Sequence, residues 1–231
     1  MALRIPHRTW TADEFEKMAQ AGIVRPEEHT RLTRGEIVTG RTALQPRRWS
    51  YEEYVRLGEE GIIGPDERTE LIDGEIVPMS PTGRRHKAVT LHLNGWLHGL
   101  VGSTALVSMQ DSLPLSDTVG TVPDITVLRY RADRYIGEEA GPADVLLVIE
   151  VAESSLSYDR GVKRGLYAAA EIPEYWLVDL RRGGVIVHRS PAGGTYQDEQ
   201  QFRSGQSWTS PALGGREVRV EDVLGPAAET R

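Results

Sequence analysis

Nine residues at 144–152, DVLLVIEVA, constrain the fold of this chain more than any other stretch. A run that is almost wholly apolar yet too short for a core helix reads as a central β-strand, covered on both faces. Such a strand needs a layer above and a layer below, and helical patterns stand on either side of it. In His86 to Val101, the residues Val89, Leu93, Leu97, Leu100 and Val101 recur at three- and four-residue intervals, and Gly102 marks the stop. A second helix is expected from Asp159 to Ala170, with Val162, Leu166, Ala169 and Ala170 on its buried side. Ala105 to Leu115, Thr121 to Tyr130 and Glu174 to Leu180 read as further strands, the last turned by Gly183-Gly184 into a hairpin with Val185 to Arg189. The order helix, three strands, helix, strand is that of an α/β fold, a mixed β-sheet flanked by helices. Tyr175 and Trp176 are expected to pack in its core. Beyond Ser190 the chain is rich in Gly, Ser and polar residues, and only one short element, near Val218 to Leu224, is expected.

The N-terminal part repeats itself. Residues 10–38 align without gaps on residues 49–77 at an offset of 39, with 12 of the 29 pairs identical, which reads as a tandem duplication. Each copy opens on a cap, Thr11 or Ser50, with Glu14 or Glu53 three residues later, then a helix, a turn at Pro26 or Pro65, and a strand pair bent at Gly35 or Gly74. Glu70 and Asp73 of the second copy are Arg31 and Arg34 in the first. Residues 1–47 are therefore expected to be an extension, a degenerate copy of 49–77, and residues 48–231 the main domain.

The charge balance narrows the partners. With a formal charge of −7, the chain is not built to coat duplex DNA by phosphate neutralisation alone. That does not exclude a nuclease, whose acidic ligands contribute negative charge that bound cations reverse locally. There is no cysteine, so any metal must sit on oxygen or imidazole. No stretch approaches the ~20 apolar residues of a membrane span, and the N-terminus lacks a signal-like apolar core. A cytoplasmic protein without membrane contact is the expectation.

The chemistry is signalled by acids in apolar places. Glu150 sits inside the central run, where an unpaired charge is costly and must find a cation, hydrogen bonds or a metal. Asp124, after Pro123 at another strand, can stand beside it, and the two would bind a hard divalent ion, magnesium or manganese, through oxygen. Lys163 lies 13 residues past Glu150 on the next helix, from where its amine can orient water or stabilise charge on a phosphate. A structural pairing of Glu150 with Lys163 or Arg164 is the alternative. His86, His92 and His98 are six residues apart, about 120° around a helix, and cannot converge on one ion; His86 alone can line a site at the helix start. Arg84, Arg85 and Lys87 at that helix N-terminus are either phosphate contacts or an ordinary solvated basic turn.

RTELIDGEIV at 68–77, VPD at 122–124, VIEVAESS at 148–155 and DRGVKRGLYAAAEIPEYWLVD at 159–179 together resemble the Uma-type restriction-endonuclease family, small bacterial members of the PD-(D/E)XK nuclease superfamily. The resemblance spans about 49–189. It implies a restriction-endonuclease-like core, to which the duplicated helix-hairpin is an N-terminal extension. It further implies a metal-dependent DNA endonuclease with Asp124 and Glu150 as metal ligands and catalytic carboxylates. The superfamily's lysine stands two residues after the second acid, where this chain has Ala152; the resemblance assigns its role to Lys163. Glu70 matches an acidic residue upstream of the core that approaches the metal. Two other readings remain open: a nuclease-fold protein that binds nucleic acid without turnover, and a homodimer assembled through the duplicated segment.

Overall fold

The computed structural model describes residues 6–41 and 43–226. The first residues read for a leader, and the outer limits of the expected domains 1–47 and 48–231, lie outside the described residues. Two compact units form, one of the residues up to 79 with 116–121, the other of 80–115 with 122 onward.

In the first unit the two copies carry the same elements in the same order. Helix α1 (Ala12–Gln20) is capped by Thr11 and Glu14, α2 (Tyr51–Glu59) by Ser50 and Glu53, each Glu carboxylate accepting the cap residue's own N–H at 2.7 and 3.0 Å. Hairpins follow: β1 (Arg31–Thr33) with β2 (Glu36–Thr39), extended by β3 (Gln45–Pro46), and then β4 (Thr69–Ile72) with β5 (Glu75–Pro78). Both bends need glycine, since Gly35 and Gly74 have φ of +83° and +76°. The core is Trp10, Met18, Ile23, Trp49, Leu57 and Ile62 with their neighbours. Glu70 is not on an exposed hairpin: only 2% of it is accessible.

The second unit begins with α3 (Arg84–Val101), ended at Gly102 and buried along Val89, Leu93, Leu97 and Val101. The stretch expected as one strand is two, β6 (Ala105–Met109) and β7 (Leu113–Ser116); β8 (Val119–Thr121), which belongs to the first unit and pairs with β4, precedes β9 (Ile125–Arg129). Central strand β10 (Val145–Ala152) leads through α4 (Leu156–Tyr158), a π-helical turn (Asp159–Lys163) and α5 (Arg164–Ala169) to β11 (Glu174–Asp179). The tail is more ordered than expected. It contains β12 (Gly184–Ala192), β13 (Thr195–Arg203), β14 (Ser207–Ser210), β15 (Arg216–Arg219) and α6 (Val220–Leu224).

Six strands make the sheet in the order β13-β12-β11-β10-β9-β6, with β10 and β11 parallel and the other neighbours antiparallel. Alternation along each strand divides its side chains between two layers. Leu147, Ile149, Val151, Trp176 and Val178 face α3 and α6; Val148, Ala152, Tyr175 and Leu177 face Tyr167 and Ala168 of α5. Tyr175 and Trp176 are thus core residues, on opposite faces. A mixed sheet flanked by helices is what the sequence predicts. No described helix is long and apolar enough to cross a membrane.

Candidate active site

The register of β9 against β10 pairs Thr126 with Val148 and Ile125 with Ile149; Asp124 stands one residue before that last pair and Glu150 one residue after it. By the strand period of two, Glu150 shares the face of Val148 and Ala152, toward α5. There Lys163 Nζ lies 2.8 Å from Glu150 Oε1, and the Tyr167 hydroxyl donates to the same oxygen at 2.7 Å. Asp124 is reached from the other helical layer. His86, in the first turn of α3, places Nε2 at 2.9 Å from Asp124 Oδ2, which also accepts the Val151 N–H at 2.9 Å. Gln110 Nε2 approaches Oδ1 at 3.3 Å. All four ionisable groups are buried: Asp124 5%, Glu150 4%, Lys163 3% and His86 7% accessible. Charges taken out of water to this extent are tolerated only with such partners in place.

Burial opposes ionisation of Asp124, but the His86 hydrogen bond and charge, the Val151 N–H and the charge of Lys163 outweigh it, holding the carboxyl below its ordinary value. Since an ionised Asp124 only accepts, His86 Nε2 carries the donated proton. His86 Nδ1 is buried with no hydrogen-bond partner among the described residues.

The helix after β10 corrects one expectation. Val162, Leu166 and Ala169 are not its buried stripe; Asp159, Lys163 and Tyr167 are, at successive four-residue steps. The π-helical turn changes the angular register that a regular 3.6-residue period assumes. Ser155 Oγ donates to Asp159 Oδ2 at 2.6 Å, tying the turn to the segment just past β10.

The other predicted positions divide. Arg84 and Lys87 are exposed and Arg85 half-buried, flanking His86 on α3, and the side chain of none of them forms a hydrogen bond or ion pair with a described residue. Glu70 belongs to the other compact unit, on β4. His92 turns to the Asp222 carbonyl (2.9 Å) and His98 to solvent, so the three histidines do not converge. Sequence reading missed Tyr167, Gln110 and Glu153. Tyr167 had a signal, four residues after Lys163 on one helix. Glu153 lies against Gly83, the uncapped start of α3, where a Cβ would collide with its carboxylate; neither it nor Gln110 had one.

The donor set suits a hard ion. Magnesium takes one or two carboxylates and leaves its remaining positions to water and phosphate oxygens, which is what Asp124 and Glu150 offer. No group of three or more His, Asp or Glu side chains able to hold an ion occurs among the described residues.

A family model, Uma2, described as "Putative restriction endonuclease", matches residues 51–221. The chain belongs to this family. The Uma2 match takes in all the side chains gathered around Asp124 and Glu150 and starts inside the second copy of the repeat, so the first copy lies outside it. Among solved structures, the chain is similar to one titled a "putative nuclease belonging to DUF820" from Anabaena variabilis ATCC 29413. The identity is 20%, the TM-score 0.59, and the match covers 76% of this chain and 97% of that one; the likeness is one of fold. No curated protein matches the chain.

Proposed function

We propose that this Uma2 member is an endonuclease that hydrolyses DNA phosphodiester bonds with a divalent ion, magnesium or manganese, held by Asp124 and Glu150. The observation that carries the reading is the Lys163 amine 2.8 Å from the buried Glu150 carboxylate, its charge also felt by Asp124, a second buried carboxylate just before the strand beside β10. A bound ion would supply Lewis acidity toward the scissile phosphate and a more acidic water. Asp124, kept ionised by His86 and the Val151 N–H, is ready to ligate without first losing a proton. The Tyr167 hydroxyl and the Lys163 amine fix Glu150. Lys163 can also hold the attacking water or stabilise charge growing on the phosphate. Arg84, Arg85 and Lys87, whose side chains have no partner among the described residues, stand at a helix start, suit backbone phosphates and would position rather than specify.

The test is cleavage of plasmid DNA with magnesium or manganese by the parent, Asp124→Asn and Glu150→Gln. The parent is expected to cut and each variant to lose at least a hundredfold in rate while still binding DNA. Variants that cut as fast as the parent would refute the assignment. A second reading, a nuclease-fold protein that binds nucleic acid without cutting, is favoured by the charge of −7. It becomes the better one if the parent binds DNA, cuts with neither ion, and shows no ion-dependent heat in calorimetry.

A further inference from the structure

The two copies of the repeat hold each other by contacts that come in pairs. The Arg8 N–H donates to the Ile76 carbonyl at 2.8 Å, and the Arg47 N–H to the Ile37 carbonyl at 2.8 Å. The Arg8 guanidinium binds Glu67 through Nε and Nη2, both at 2.8 Å, and Arg47 binds Glu28 through Nε at 2.9 Å. Arg8 Nη2 reaches the Ile62 carbonyl at 3.4 Å, and Arg47 Nη2 that of Ile23 at 3.1 Å. Each pair of contacts is converted into its twin by adding the 39-residue offset to one partner and subtracting it from the other. Each arginine also binds the capping glutamate of its own copy, at 2.6 and 2.7 Å, and lies over its own tryptophan at 4.1 and 4.2 Å. The two tryptophan rings meet with centroids 5.4 Å apart.

An interface in which a meets b while b meets a is isologous, the two-fold form by which identical chains pair. Here both halves belong to one chain. Every residue carrying these contacts, an arginine, a tryptophan, two glutamates and two isoleucines per copy, is identical in the two copies, although only 12 of the 29 aligned positions agree. Away from the interface the copies have parted: Arg31 is exposed where Glu70 is buried. The family match, moreover, begins at residue 51 and needs only the second copy.

We propose that the first copy, residues 8–38, is a built-in partner, occupying a self-association surface on the second copy, residues 47–77, that selects another helix-hairpin of its own kind. The charge pattern commits the surface to that occupant, since an arginine and a glutamate on one half meet a glutamate and an arginine on the other. Removing the first copy from its seat should therefore let the second copies of two chains pair.

Sedimentation equilibrium of the full chain tests this, with the first copy disabled by Trp10→Ala and Met18→Asp; Met18 is fully buried. The variant is expected to double in mass relative to the parent, in a concentration-dependent equilibrium. Adding Glu67→Arg sets like charges across both halves of the two-fold contact and should weaken the dimer at least tenfold. A variant with the parent's mass, or a dimer indifferent to Glu67→Arg, would overturn the proposal. So would loss of the whole fold by circular dichroism, because an element that cannot be removed without the rest is core, not partner.

Discussion

Replacing Lys163 by Met tests how the candidate site is held together. The change keeps an unbranched side chain one heavy atom shorter and removes the amine from a Glu150 oxygen 2.8 Å away, in a place where both residues are almost inaccessible. At an effective dielectric of about 20, a pair at this distance attracts by roughly 6 kcal/mol. Relief of the lysine's own desolvation returns part of that, and loss of one partner from a buried pair costs about 3–5 kcal/mol in practice. The Tyr167 hydroxyl stays on the same oxygen, and hydrogen bonds to charged groups contribute about 1.5–3 kcal/mol, so the lower end, about 3 kcal/mol, is expected. With a urea slope near 2 kcal/mol per molar, the unfolding midpoint should fall by roughly 1.5 M.

Two further measurements make the reasoning specific. The double variant Glu150→Gln/Lys163→Met removes both charges and should regain about 2 kcal/mol over the single one, because an uncharged pair leaves nothing stranded. Magnesium at ten times its dissociation constant should add about 1.4 kcal/mol to the parent, and more to Lys163→Met, whose carboxylate has lost its ammonium. A single variant within about 0.5 kcal/mol of the parent, or a double variant as unstable as the single, would refute the buried pair as described. Absence of magnesium stabilisation in every form would refute the ion site instead.

Tyr167→Phe should cost about 2 kcal/mol in urea unfolding and slow cleavage while leaving DNA affinity unchanged; a variant equal to the parent in both would remove Tyr167 from the site. Glu174 is buried and accepts from Trp176 Nε1 at 2.8 Å, Ser210 Oγ at 3.0 Å and the Ala212 N–H at 3.2 Å. Glu174→Ala should therefore cost about 3 kcal/mol and speed amide exchange around Ser210 to Ala212, and unchanged exchange there would contradict the role of anchor. His188 is buried and stacked on Tyr175 with centroids 5.1 Å apart; burial lowers its pKa, only partly opposed by the charge of Glu199. Because the folded-state value lies below the unfolded one, stability present above about pH 6.5 is lost as the pH falls through the window beneath it. His188→Phe should lose less stability than the parent between pH 7 and pH 5, and equal slopes would exclude His188 as the source.

What was legible in the sequence was whatever burial writes locally. β10 is covered on both faces, so it reads as an apolar run; α3 has one covered side, so it reads as a stripe that Gly102 ends. Asp124 and Glu150 were visible because carboxylates in such surroundings need a reason. Outer strand β13 was not visible. It alternates exposed polar residues with few covered ones, Tyr196 the main buried position, and so leaves no apolar run to find. His86 was found only as a neighbour of the helix start, because its partner Asp124 lies 38 residues away and the contact depends on where α3 begins relative to β9.

The turn after β10 joins these limits to the site. A regular helix from Asp159 would bury Val162, Leu166 and Ala169, the reading apolar spacing favours. The chain buries Asp159, Lys163 and Tyr167 instead, so polar contacts have overridden the local preference. π-helical turns are rare, which implies that something outside the turn holds this one. Its known ties are Ser155 to Asp159, the Tyr175 hydroxyl to the Asp159 carbonyl at 3.3 Å, and Lys163 with Tyr167 on Glu150. All four tie the turn, or the helix it opens, to β10, the residues just past it or the neighbouring strand, three of them through buried polar atoms. The segment that carries the amine therefore takes its shape from the carboxylate it serves. Glu150→Leu, which deletes the acceptor but keeps an apolar group in the strand, should then let the helix rotate toward its apolar stripe. Nuclear magnetic resonance chemical shifts of 159–167 would move to regular α-helical values; shifts unchanged from the parent would show that the turn is held without Glu150.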